Sequence, residues 1–215
     1  MAEWNRIMML TIDTSGARSG LAITQEQRVL AELQWESGRR HSEQVLPQID
    51  ALCRLVEVAP QDYRHICVAL GPGSWSGIRV GISIAKGLTL ATDAPIIGVA
   101  SLDALAWQLR GTACTAVLSL GRGRFAVAHY PAALWAPGSI PASNQAQVDN
   151  TDQRIIVCEP ETAHIIRTNL PDATIQTTWL RPLTYAQVGM QIREDQDVPM
   201  YRCEPIYLGD PVQRP

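Results

Sequence analysis

The hydrophobic pattern divides the first hundred residues into short strands followed by helices. Ile7 to Ile12 is almost wholly apolar and stops at Asp13-Thr14-Ser15-Gly16, a turn-forming group. Ser19 to Thr24 alternates like the returning strand of a hairpin, and Arg28 to Trp35 continues the meander. Val45, Leu46, Ile49, Leu52, Cys53 and Val56 then share one face of a helix. Pro47 lacks the N–H that would reach back to Glu43, so this helix either starts late or bends there. His65 to Leu70 reads as a buried strand and Ile78 to Ala91 as a helix with apolar residues at helical spacing. Ile96 to Val99 is a further strand, and Ser101 is placed to cap a helix through Leu105.

The second half is less regular. Thr115 to Leu120 and Phe125 to Tyr130 read as a second hairpin around Gly121-Arg122-Gly123. Pro131 to Asn150 holds three prolines and neither Lys nor Arg, the composition of a long loop or partner arm. Ile155 to Cys158 is a short strand, Leu183 to Arg193 a helix, and the proline-dotted end from Pro199 an extended tail. The internal echo is weak: two strand-hairpin openings, at Asp13 and near Ser119. Three meandering strands followed by alternating helices and strands are the order of a ribonuclease-H/actin-type α/β core, which sets fold but not function.

The segment Gly71-Pro72-Gly73-Ser74-Trp75-Ser76-Gly77-Ile78-Arg79-Val80-Gly81 joins a strand to a helix that begins near Ser74 or Ser76, either of which can cap it. Small residues fall four apart at Gly73, Gly77, Gly81 and Ala85, and from Gly77 on they leave a bare stripe where another backbone can come close. One reading is an anion site at a helix N-terminus. The Walker pattern, however, needs Gly-Lys-Ser/Thr, and Ile78-Arg79 follow Gly77. A nucleophile elbow needs Ser between two glycines, where Trp75 stands. The plain reading is a helix-packing surface, with Trp75 a partner contact or a packing residue.

Composition narrows the function. Hydrophobic residues make up 46% and charged residues 18% of 215 positions, with a net charge of −3, ordinary for a globular protein and unlike one that holds nucleic acid by its global field. Local clusters, Arg39-Arg40-His41 and Arg122-Gly123-Arg124, read as solvated turns. Five scattered cysteines without a Cys-x-x-Cys pair fit a reducing compartment. The short apolar run before Asp13 is unlike a signal peptide and no run approaches membrane-spanning length, so the expected location is the cytoplasm.

Autonomous chemistry looks half built. Asp13, Thr14 and Ser15 could form a first phosphate loop, with Asp13 positioned for metal or water contacts, and a turn-anchoring role for Asp13 is equally open. The second hairpin offers Ser119 or Leu120 where an acid is needed, and beyond residue 150 the glycines are Gly189 and Gly209, too few for an adenosine cradle. His41, His65, His129 and His164 form no local metal motif. His41-Ser42-Glu43 reads as a helix N-terminus with Ser42 capping and Glu43 answering the dipole.

Four motifs in one order carry a specific resemblance: Leu10-Thr11-Ile12-Asp13-Thr14-Ser15; Arg40-His41-Ser42-Glu43-Gln44-Val45-Leu46-Pro47-Gln48-Ile49-Asp50; the glycine segment with Lys86-Gly87-Leu88; and Ile97-Gly98-Val99-Ala100-Ser101-Leu102-Asp103-Ala104-Leu105. With the ending Pro205-Ile206-Tyr207-Leu208, the chain resembles the TsaB (YeaZ) family, while residues 106–200 match weakly. The resemblance implies an α/β, actin-like/ribonuclease-H-like (ASKHA) fold of two subdomains with mixed sheets, 1–105 and 106–215. It implies a part in making N6-threonylcarbamoyladenosine at position 37 of tRNAs that read codons beginning with A. In that family this subunit carries no active site. It pairs with TsaD, the metal-bearing transferase, in a complex that also recruits the ATPase TsaE, and it forms homodimers through helices matching His41 to Val56 and Ser76 to Ala91.

The expected partner interface is therefore His41, Val45, Leu46, Ile49, Leu52, Trp75, Gly77, Ile78, Gly81 and Ala85. Asp13, Thr14 and Ser15 are the candidate nucleotide contacts, with ATP or ADP and Mg at a subunit interface, and the chain supplies no catalytic residue or metal ligand of its own. tRNA is met only through the complex, and a membrane not at all. Ser119 departs from the Asp-Ala-Arg of many relatives, and Trp75 stands where the aromatic is usually Phe. The alternatives are an autonomous actin-like ATPase or glycoprotease-like (M22) hydrolase, and a homodimeric binding protein with no tRNA connection.

Overall fold

A computed structural model describes residues 7–38, 40–149, 151–195 and 203–208. Arg39, Asn150 and the tail from Pro199 to Arg202 and beyond Leu208 lie outside the described residues. The first sheet holds β1 (Met8–Asp13), β2 (Arg18–Gln25), β3 (Arg28–Glu36), β4 (Tyr63–Gly71) and β5 (Ile96–Ala100) in the order β3-β2-β1-β4-β5. The first three pair antiparallel, and β4 and β5 join in parallel. This is the ribonuclease-H/actin arrangement that the strand order predicts. β1 is buried throughout, which explains its unbroken apolar run, because a central strand is covered on both faces.

The second sheet repeats the first. β6 (Cys114–Gly121), β7 (Arg124–Tyr130), β8 (Ser143–Gln145), β9 (Ile155–Cys158) and β10 (Ile175–Thr177) stand in the order β10-β9-β6-β7-β8, with the same senses of pairing. The echo at Asp13 and Ser119 is thus one visible edge of a duplicated five-stranded unit. β8 lies inside the segment expected to be a loop or partner arm. That segment folds back on its own subdomain instead: the Gly138 N–H donates to Asp103 Oδ2 (2.6 Å), and Trp135 packs edge-on to Trp107.

α1 (His41–Leu55) and α2 (Trp75–Thr92) cover one face of the first sheet. α1 starts at His41 and runs through Pro47, so neither a late start nor a Ser42 cap is found; Arg40 occupies the cap position and offers no side-chain hydrogen bond. Pro47 stands on the exposed side of the helix. α2 is capped by Ser74, whose hydroxyl accepts from the Gly77 N–H (3.3 Å). α3 (Ser101–Ala106) is not capped by Ser101, which is its first residue and follows Ala100. α4 (Pro160–Asn169) and β10 escaped sequence reading, since their apolar residues are few and widely spaced.

The last helices are exchanged between the halves. α3 follows the first sheet, but Leu102, Leu105 and Ala106 join the core of the second. α5 (Pro182–Asp195) follows the second sheet, but Tyr185, Ala186 and Val188 pack with Met9, Cys67 and Ile97 of the first. Residues 106–215 therefore give one helix back to the sheet formed by residues 1–105.

The glycine stripe of α2 faces inward, against the chain's own β1 turn. A Cβ placed on Gly77 would lie 1.9 Å from the Thr14 carbonyl oxygen, and one on Gly73 would lie 2.2 Å from that of Ser15. The Thr14 hydroxyl closes the contact by donating to the Gly77 carbonyl (2.7 Å). Gly77→Ala must push backbone apart, so the expected loss is about 3 kcal/mol in chemical denaturation. Gly87, on the same helix with nothing within 4 Å of an added Cβ, is the control. Gly87→Ala should gain about 0.5–1 kcal/mol from helix propensity alone.

Candidate functional site

Two features stand out: a cleft between the two sheets and the outer face of the α1–α2 layer. The cleft has a volume of about 1050 Å³. Asp13, Ser15, Arg18 and Glu36 line it from the first half, and the end of β6 with Arg122 and Glu159 from the second. Ile206, Tyr207 and Leu208 line it as well.

The Asp-Thr-Ser turn is committed to internal bonds. Asp13 Oδ1 accepts from the Ser15 N–H (2.9 Å) and the Ser15 hydroxyl (2.7 Å). Thr14 is held by Gly77, as above. Tyr185 donates to the Ser101 hydroxyl (2.9 Å), and its own oxygen lies 3.2 Å from Ser15 Oγ. This buried node ties the end of β1 to both exchanged helices. Burial raises the Asp13 carboxyl above its ordinary range, and the two Ser15 bonds offset that only in part. The turn-anchoring role open at the sequence level is the one these bonds describe. For Thr14 and Ser15 to hold a phosphate, they would have to give up partners they already have.

Glu159 was missed in the sequence. It stands just after β9, the counterpart of β4 in the repeat, where β4 is followed by Pro72. Burial pushes its carboxyl up to about 7; the Asp13 charge adds to this, and the bond from the Leu180 N–H works against it. The sequence signal was Glu159-Pro160 closing an apolar strand, but it is legible only once the duplication is seen. Trp179, with Arg18 stacked 5.0 Å from its ring centre, was missed for a different reason, and so was the cleft position of Tyr207: each belongs to an irregular segment without periodicity. Among the described residues, no three His, Cys, Asp or Glu side chains group as a metal site. No helix there is long and apolar enough to cross a membrane.

The residues expected at a partner interface divide sharply. Val45, Ile49, Leu52, Ile78, Gly81 and Ala85 are buried in the core beneath α1 and α2, as is Gly77 against Thr14. The stripe expected to admit a partner's backbone already admits the chain's own. His41 is buried as well, its Nδ1 within 2.9–3.0 Å of the Ser19 and Ser37 hydroxyls. It positions the start of α1, and burial lowers its pKa. Leu46 and Trp75 remain outside. Leu90 and Leu55 are exposed as well, Leu90 on the outer side of α2 and Leu55 on the side of α1 turned away from Leu46; sequence reading passed over both because they break the apolar period of the buried face. Leu46 is 51% exposed, Leu55 73% and Leu90 76%, high for large aliphatic residues on neighbouring helices.

Both cleft carboxyls predict a pH dependence. Their folded pKa values lie above the unfolded ones, so the folded state holds more protons between the two. The favourable contribution of Glu159 is complete below pH 4.5 and is lost as the pH rises through about 7. Glu159→Gln should flatten the fall of melting temperature across this window and raise stability most above it. A variant that retains the wild-type slope would place the titration elsewhere.

A family model described as TsaD: tRNA N6-adenosine threonylcarbamoyltransferase matches residues 33–153. The chain is 41% identical over 98 residues to the tRNA threonylcarbamoyladenosine biosynthesis protein TsaB of Bacillus subtilis, covering 46% of this chain and 43% of that protein. It is 31% identical over 106 residues to the TsaB protein of Escherichia coli, covering 48% and 46%. The matched stretch thus spans about half the length of these curated relatives or slightly less. YeaZ from Pseudomonas aeruginosa has the same fold, with a TM-score of 0.74 and 18% identity over 94% of this chain and all of that one.

Proposed function

Because this chain belongs to the TsaD threonylcarbamoyltransferase family, in its TsaB/YeaZ branch, we propose that it serves as a non-catalytic subunit in forming N6-threonylcarbamoyladenosine at position 37 of tRNAs reading codons that begin with A. Its work is to dock on a TsaD-type transferase in the cytoplasm, in an assembly that includes a TsaE-type ATPase and through which alone it meets tRNA. The observation that carries this reading is the outer face of α1 and α2, where Leu46 and Leu90 are left in solvent. Burying one such leucine is worth about 1.5–3 kcal/mol, enough for a few of them to anchor an interface. The same surface serves a homodimer when the partner is absent.

The expected interface moves by one helix face. The close approach along Gly77 and Gly81 is spent inside the subdomain, where it sets α2 flush on the sheet and holds its other side outward. Partner contacts then come from Leu46, Val80, Ser83, Gly87 and Leu90. The committed hydroxyls of Thr14 and Ser15 support the non-catalytic role, with ATP or ADP and Mg shared at the subunit boundary rather than turned over by this chain.

One observation favours an autonomous hydrolase or ATPase: Glu159, poised near neutrality in a cleft large enough for a nucleotide. Turnover of ATP with Mg²⁺ by the isolated chain, abolished in Glu159→Gln, would favour that reading over the scaffold. The docking reading expects no such turnover. It also expects Leu46→Glu with Leu90→Glu to lose co-purification with the transferase and to lower the modified adenosine in nucleoside mass spectrometry. Both sites are exposed, so the melting temperature should stay close to wild type. Retained binding by this double variant would move the interface elsewhere.

A further inference from the structure

The segment Cys203–Leu208 crosses from one half of the molecule to the other. Cys203 is buried in the core beneath α1 and α2. The Ile206 N–H donates to the Leu70 carbonyl near the end of β4 (2.8 Å). Tyr207 stacks on Trp75 with ring centres 3.7 Å apart, and the Arg79 Nε–H donates to its hydroxyl (2.9 Å). One residue later the anchor changes sides: Asn144 Nδ2 on β8 donates to the Leu208 carbonyl (2.7 Å). Arg124 of β7 in turn holds Asn144 through its Oδ1 (2.8 Å). Ile206, Tyr207 and Leu208 all face the cleft.

We propose that Ile206–Leu208 is a strap that sets the opening of the cleft, latched on the first half by the Trp75–Tyr207–Arg79 stack and on the second by Asn144. The two sides differ in character. The exchanged helices α3 and α5 join the halves at the floor through buried contacts, which act as the hinge. At the rim, the described links from the strap are one aromatic stack, the Arg79 bond to Tyr207, two bonds to backbone groups and the packing of partly buried Leu208 on the core of the second half, and such contacts open at smaller cost than buried helix packing. The stack is also half in solvent: Trp75 is 42% exposed. A molecule that takes the exposed ring of Trp75 or the guanidinium of Arg79 competes with Tyr207 directly. The first turn of α2 and the width of the cleft are then one coupled device. This inference stands on the tail geometry alone and does not depend on the docking reading.

The test uses the full-length chain with spin labels at Gln27→Cys in the first half and Arg167→Cys in the second, both exposed, while the five native cysteines are buried. Pulsed dipolar spectroscopy reads the distance between the halves. The strap predicts a single narrow distribution in the parent and a broader one, shifted to longer distances, in Tyr207→Ala. Tyr207→Phe keeps the stack and loses the Arg79 bond, so it should fall between them. Asn144→Ala loosens the strap at its other end, where the packing of Leu208 remains, and should broaden the distribution, though less than Tyr207→Ala does, which guards against a local effect at Trp75. Unchanged distributions in both alanine variants, with circular dichroism showing native folds, would overturn the proposal. So would broadening in Tyr207→Ala with none in Asn144→Ala.

Discussion

The packing of the Asp13–Ser15 turn on the glycine face of α2 is the constraint from which the rest follows. The Thr14 carbonyl sits where a side chain at Gly77 would be, and the Thr14 hydroxyl returns a bond to the same residue. This approach fixes the depth of α2 on the sheet, and its geometry admits only glycine at the point of closest contact. It also spends the polar groups of the turn. An Asp-Thr-Ser turn that ends a central strand has the residue types to grip phosphate, yet here its hydroxyls and its aspartate grip the protein.

A second level of order comes from duplication. Two five-stranded units with the same strand order face each other across the cleft, and each lends its last helix to the other. The exchange places Ser101 and Tyr185 beside Ser15, so the buried hydroxyl node lies where both halves cross. The halves have diverged where it matters chemically. The first keeps a glycine-rich entry to a long helix; the second has Glu159 and a short helix beginning with proline.

Much of the first half was legible because β1, β2, β4 and β5 are largely buried and its helices cover one face, conditions under which hydrophobic period reports structure directly. β1 to β5, the capping by Ser74 and the packing character of the glycine stripe were all readable. What periodicity could not report was which backbone the stripe would meet. Gly77 and Gly81 look the same whether a sister subunit or residue Thr14 lies against them, and only the fold decides. The same holds for Leu46 and Leu90. Leu46 falls beside Val45 in the apolar count and was read as one face with it, although the turn of about 100° between them buries Val45 and leaves Leu46 in solvent. In the second half, β8, β10 and α4 are short and half-exposed, and Glu159, Tyr185 and Tyr207 gain meaning from contacts distant in sequence.

An inward glycine face leaves α2 with an outward one, the face proposed to meet the transferase partner. The chain has a single lysine, Lys86, two turns beyond Arg79 on this helix and at the margin of the exposed side. Amine-reactive cross-linking of the purified pair therefore reports on α2 with almost no background, since the α-amino group is the other reactive amine of the chain. The account predicts that Lys86 links to the transferase when the two subunits are mixed. A stable complex whose cross-links all run from the α-amino group, with Lys86 free, would contradict it.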